Sequence, residues 1–163
     1  MGGENAAHVI AWKTENKTMY ATVTDMIARF GETHLLRLSN LEDRTAETVN
    51  AVKVEQAIGD ATAMIEGYLR GYYAVPVAAP PADLVRATCI LARHELAQGE
   101  HVTPSDDMEK GRDEVLKWLR DIAARRVHLD APLAEGATGS KVGSGPRYSD
   151  RPRDFTHDTL RSA

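Results

Sequence analysis

From Met19 to Leu133 the apolar residues recur at helical steps of three and four. No segment alternates with the period of two that a half-buried strand requires. Thr24 is placed to cap a short helix over Asp25–Phe30, Gly31 to end it, and Glu32–Leu38 to add another turn or two. A polar stretch, 39–48, then leads to the longest patterned run, Val49–Tyr72. There Val54, Ile58, Ala61, Ile65, Tyr68 and Tyr72 fall on one stripe, which predicts a helix with that face in the core. The next segment, AVPVAAPP (74–81), cannot be helical throughout, because its prolines lack donors and restrict their predecessors. It predicts a stiff crossover into a helix that opens with Pro81 at its first position and stops at Gly99. Val85, Cys89, Ala92 and Leu96 line one side of that helix. Leu84, Ile90 and Leu91 widen its apolar arc, as a central position in a bundle demands. In the last long helix Thr103-Pro104-Ser105-Asp106 has the form of a capping box, with Pro104 first in the helix. Met108, Val115, Trp118, Leu119 and Ile122 supply its buried face. Asp106 and Asp107 stand near its positive end, and Arg125 and Arg126 near its negative end. The pattern predicts an all-α fold: a small bundle of three principal helices plus short N-terminal helices, with extended flexible termini.

The longest helix carries glycine at an unusual rate. Gly59, Ala63, Gly67 and Gly71 are spaced by four and form one ridge almost free of side chains. Such a ridge lets a second helix approach closely, first of all inside the monomer, or else from a neighbouring subunit. The spacing also predicts surface ion pairs one helical turn apart: Glu66 with Arg70, Asp113 with Lys117, and Asp121 with Arg125.

Composition narrows the class. The chain has 163 residues, enough for one domain with a sizeable core, and a formal net charge of -4, which argues against a polycation built to grip nucleic acid. A single cysteine, Cys89, rules out an internal disulfide framework and reads as a small core residue. No apolar run approaches the roughly 20 residues that a membrane-spanning helix needs. Together these features predict a soluble protein of a reducing compartment. Three regions follow: an N-terminal extension (1–18) without the marks of a secretory signal, a helical domain (19–134), and a Gly/Ser/Pro/Arg-rich tail (135–163). From Gly136 onward the tail holds five basic and three acidic residues, a net +2 that leaves -6 on residues 1–135. It is too poor in large apolar residues to order by itself, and reads either as a frayed terminus or as a docking arm with Tyr148, Phe155 and Leu160 as anchors and Arg147, Arg151 and Arg153 as pairing groups.

Candidate chemistry is sparse. His94-Glu95 begins a zinc-protease pattern, but Gln98 stands where the second histidine belongs, and His101 lies beyond Gly99. The tail string Gly136-Ala-Thr-Gly-Ser-Lys141 lacks the Gly-Lys-Ser/Thr ending of a phosphate loop. No nucleophile–base–acid arrangement follows from spacing. The reading is of a protein that is not an enzyme, with no catalytic residue, metal site or cofactor assigned.

Read as one string, the body carries a recognisable order. Tyr20-Ala-Thr-Val-Thr-Asp-Met-Ile-Ala-Arg-Phe-Gly31 is followed by Ala57-Ile58-Gly59-Asp60-Ala61, Ile65-Glu66-Gly67-Tyr68-Leu69 and Tyr73-Ala74-Val75-Pro76. Then come Leu84-Val85-Arg86-Ala87, Ala92-Arg93 and Trp118-Leu119-Arg120-Asp121-Ile122-Ala123. In this order the chain resembles the Mu-like phage head–tail connector family, over about Met19 to Leu133. Arg125-Arg126 departs from the Lys/Gly-type pair expected at the end of the last helix. The resemblance implies a structural role in the virion neck, after assembly in the host cytoplasm. It implies a ring of twelve copies under the portal protein that helps retain the packaged genome and receives the next neck or tail protein. Genomic DNA would pass through without sequence-specific binding, and no membrane is involved. On this reading the tail docks on the portal. Two rivals are a helical nucleic-acid-binding module using the basic tail and a metal-dependent enzyme built on His94, Glu95 and His101.

Overall fold

A computed structural model of the chain describes residues 18–43, 45–98 and 103–135. Among these residues the fold is all-α, with no strand: α1 (Val23–Phe30), α2 (Glu32–Ser39), α3 (Ala51–Leu69), α4 (Ala82–Leu96) and α5 (Asp106–Ala123). An isolated bridge joins Tyr73 to Leu133. Three longer helices and two short N-terminal ones are the bundle that the periodicity predicts.

Local chemistry shifts several boundaries. Thr22, not Thr24, caps α1: its hydroxyl accepts the Asp25 N–H at 3.2 Å, while its own N–H donates to the Asp25 carboxylate at 2.8 Å. Gly31, at φ 86°, ends α1 in the left-handed region and leads directly into α2. Asn50 accepts the Lys53 N–H at 3.2 Å and so starts α3 after Val49. Pro81 is the N-cap of α4, with helical residues beginning at Ala82. The capping box read at 103–106 does not form. Ser105 is the N-cap of α5 without a side-chain bond, and Pro104 precedes the helix. Three first-turn acids, Asp106, Asp107 and Glu109, face the helix's positive end instead.

The core is built chiefly by α3 lying on α4, with α5 closing against both. Val54, Ile58, Ala61 and Ile65 are fully buried, as the stripe predicts. Tyr68 and Tyr72 are only partly buried. Because α3 stops at Leu69, the buried path continues through Leu69 and Tyr73. Leu84, Leu91, Cys89 and Ala92 of α4 meet Val115, Leu119 and Ile122 of α5 within one core cluster; Leu116 joins them, and Trp118, Val85 and Ile90 pack partly buried at its edge.

Among the described residues the glycine ridge is divided between core and surface. Gly59 is buried, but Ala63, Gly67 and Gly71 are exposed, and a Cβ on Gly67 or Gly71 would meet nothing within 4 Å. The surface pairs also rearrange. Asp121 binds Arg126 (Nε to Oδ1 3.0 Å) and Asp113 pairs with Arg112 at 3.3 Å, while Glu66 and Arg70 form no pair. Arg125 takes φ 59°, the left-handed residue after the helix end that glycine occupies most easily, and lays its guanidinium 4.6 Å from the Tyr72 ring centre.

Two buried tyrosines hold the irregular segments. The Tyr20 hydroxyl accepts the Val77 N–H at 3.0 Å, and the Tyr73 hydroxyl accepts the Leu129 N–H at 2.8 Å. Burial, above all, pushes the Tyr20 phenol above its ordinary ionisation range. Tyr20→Phe leaves the Val77 N–H buried without a partner and should cost about 1–3 kcal/mol. Urea unfolding checks this; an unchanged midpoint would show that the bond carries no stability.

Candidate functional site

α5 packs against α4 at Gly111, where a Cβ would stand 3.4 Å from Ile90 Cγ2. Around this approach lie two hollows of about 300 and about 280 Å³ that share Arg86, Ile90, Gly111 and Glu114. One runs toward Asp83 and Trp118. The other is closed by the end of α1, through Arg29 and Phe30, and by Arg93, Asp107 and Met108. Together they make a cleft among α1, α4 and α5.

Its arginines stand on α4 and α1 and two of its acids on α5, with Asp83 an acid on α4 at one end. Arg86 and Arg93 stand seven residues apart on α4, so both lie on one face at two helical turns. Asp107 and Glu114 are likewise seven apart on α5. Between the two rows the floor is apolar, from Ile90, Met108 and Trp118. None of Arg29, Arg86 and Arg93 forms an ion pair among the described residues.

Arg93 is held in place by two neighbours. Its guanidinium lies 4.8 Å from the Phe30 ring centre, and its Nε donates to His34 Nε2 at 3.2 Å. That bond requires His34 Nε2 to be unprotonated. Burial first, and then the Arg93 charge, hold the His34 pKa below its ordinary value. Cys89 is buried, and burial pushes its thiol up, in keeping with a core residue. His94 is buried with Nδ1 3.1 Å from the Gln98 amide nitrogen, and no group of three or more potential metal ligands occurs among the described residues. His101 lies outside them.

The residues singled out from the sequence fall elsewhere. Gly59, Ala63, Gly67 and Gly71 lie on or just past α3 and none lines the cleft. Arg147, Tyr148, Arg151, Arg153, Phe155 and Leu160 lie outside the described residues. Sequence reasoning missed the cleft. The seven-residue spacing of Arg86 and Arg93 was a usable signal, but nothing local announces that Arg29 and Phe30 join them.

The fold thus defines a small helical protein with a charged groove among α1, α4 and α5. The family described as "Bacteriophage Mu, Gp36" matches residues 20–144. The chain belongs to this family and is a Mu-like phage protein. It is 31% identical to "Gene product J" of Escherichia phage Mu over 103 residues, covering 63% of this chain and 70% of that one. It is 27% identical to "Mu-like prophage FluMu protein gp36" of Haemophilus influenzae over 130 residues, covering 77% of this chain and 89% of that one.

The lowered His34 pKa has a consequence for stability. As pH falls below the ordinary value of 6.5, the unfolded chain takes up a proton before the folded one does. The contribution of His34 is therefore complete above that value and is lost as pH falls toward the folded pKa. The urea midpoint should fall between about pH 7 and about pH 5, and fall less in a His34→Gln variant. Equal losses in both proteins would remove His34 from this role.

Proposed function

We propose that the chain is a structural virion protein, a head–tail connector that forms a ring under the portal vertex. There it helps retain packaged DNA and provides the platform for the next neck or tail protein. The observation that carries this reading is family membership over residues 20–144, together with the motif order from Tyr20 to Ala123 that resembles the connector family. The partners on this reading are other copies of the chain, in a ring of twelve, the portal protein and the downstream neck protein. Its place is the virion neck, after assembly in the host cytoplasm.

The physical character of the chain supports the role. A small helical subunit whose opposite surfaces bind one another makes a head-to-tail contact, and such contacts close into a ring when the rotation between neighbours divides a full turn. The net -6 on residues 1–135 disfavours adhesion to DNA moving past the subunit. Among the described residues no helix is long and apolar enough to cross a membrane. The chain acts by binding and positioning, without a reaction of its own.

Light scattering tests the reading on the protein alone and mixed with its portal. A subunit of 17.9 kDa that assembles only on the portal is the expected result. A subunit that ignores the portal, yet binds duplex DNA with steep salt dependence, would replace the connector with a nucleic-acid-binding module.

A further inference from the structure

We propose that the cleft among α1, α4 and α5 is the receptor for the chain's own C-terminal segment, residues 147–160. The chemistry of the cleft specifies its occupant. Arg86 and Arg93 form a row along α4, with Arg29 beside them from α1. Asp107 and Glu114 form the facing row along α5. A complementary ligand carries acids along one edge, bases along the other, and large apolar groups for the floor of Ile90, Met108 and Trp118.

The segment RYSDRPRDFTHDTL (147–160) has those acid and base edges when extended, with large apolar side chains interspersed on both. Side chains alternate between the two faces of an extended chain. One face presents Tyr148, Asp150, Asp154, Asp158 and Leu160, and the other Arg147, Arg151, Arg153 and Phe155. Pro152 favours this conformation by restricting Arg151 to extended backbone. The lengths agree as well. Seven helical residues separate Arg86 and Arg93 by about 10 Å along the axis, and four extended residues separate successive aspartates by about 13 Å. Neighbouring acids can therefore face neighbouring arginines, which have no carboxylate partner among the described residues. The twelve residues 136–147 span up to about 40 Å, enough linker to carry the segment to a cleft. This inference does not depend on the connector reading. Docking in a second copy would be one head-to-tail contact; docking in the same copy would fill the cleft before partners arrive.

Chymotrypsin cleavage after Tyr148 and Phe155 in the full chain tests the proposal. The reference is a synthetic peptide of residues 136–163. Docking should slow both cuts by about tenfold, the effect of keeping the segment bound nine-tenths of the time. Arg86→Glu alters an exposed side chain without an ion pair, so the bundle stays folded by circular dichroism while cleavage rises to the peptide's rate. Adding a single reversal to Arg86→Glu, Asp150→Lys or Asp154→Lys, should restore protection for whichever aspartate faces position 86. Cleavage of the unaltered chain at the peptide's rate would overturn the proposal. So would protection that survives Arg86→Glu, or a charge exchange that fails to restore it.

Discussion

Tyr20 joins three parts of the chain that share no backbone ladder. Its N–H donates to Thr62 Oγ1 at 3.3 Å, its ring is buried, and its hydroxyl accepts from Val77 in the crossover. Thr62 in turn donates to the Ile58 carbonyl at 2.8 Å, so this buried hydroxyl is satisfied within α3 as well as across to the N-terminal segment. A crossover without helical hydrogen bonds must place its backbone donors somewhere when buried, and an unpaired one is costly. Tyr20 supplies that place. Tyr73 does the same for Leu129, with Ala74 donating to the Pro132 carbonyl at 2.9 Å beside it. Among the described residues no buried side-chain nitrogen or oxygen lacks a partner.

Fixing the crossover fixes where α4 begins, and this sets its register against α3 and α5. Thr88 donates to the Leu84 carbonyl at 2.8 Å, closing its own polar group within α4 so that the helix can enter the core. With Leu84, Leu91 and Ala92 turned inward, Arg86 and Arg93 are carried to the opposite edge, above Ile90. Gly111 lets α5 come close at that level, and α1 brings Phe30 beneath Arg93. The cleft is thus a consequence of the packing. Its arginines point where the apolar side of α4 does not.

What the sequence made legible was local. Val54, Ile58, Ala61 and Ile65 repeat at helical spacing, and burial follows directly from that repeat. Tyr72 broke the pattern because α3 ends at Leu69, three residues earlier than the apolar stripe implies. The N-cap of α1 was misplaced by two residues because Thr22 and Thr24 are both plausible caps, and only the reciprocal bond with Asp25 chooses Thr22. The ridge from Gly59 to Gly71 was visible as spacing, yet spacing does not say which side of a helix a neighbour will occupy. Likewise the cleft needs α1 beside α4, a tertiary fact carried by no local pattern. Arg125 occupies a left-handed position that glycine adopts most easily, and its side chain packs over Tyr72.

The family places the chain among Mu-like phage proteins, and the proposed connector role makes a positional claim about the finished particle. Immunogold electron microscopy of purified particles, with antibody raised against the helical body, addresses that claim most directly. The account predicts label confined to the junction of head and tail, on emptied heads that retain their necks as well as on intact particles. Particles free of the protein, or label along the tail or over the capsid faces, would contradict it.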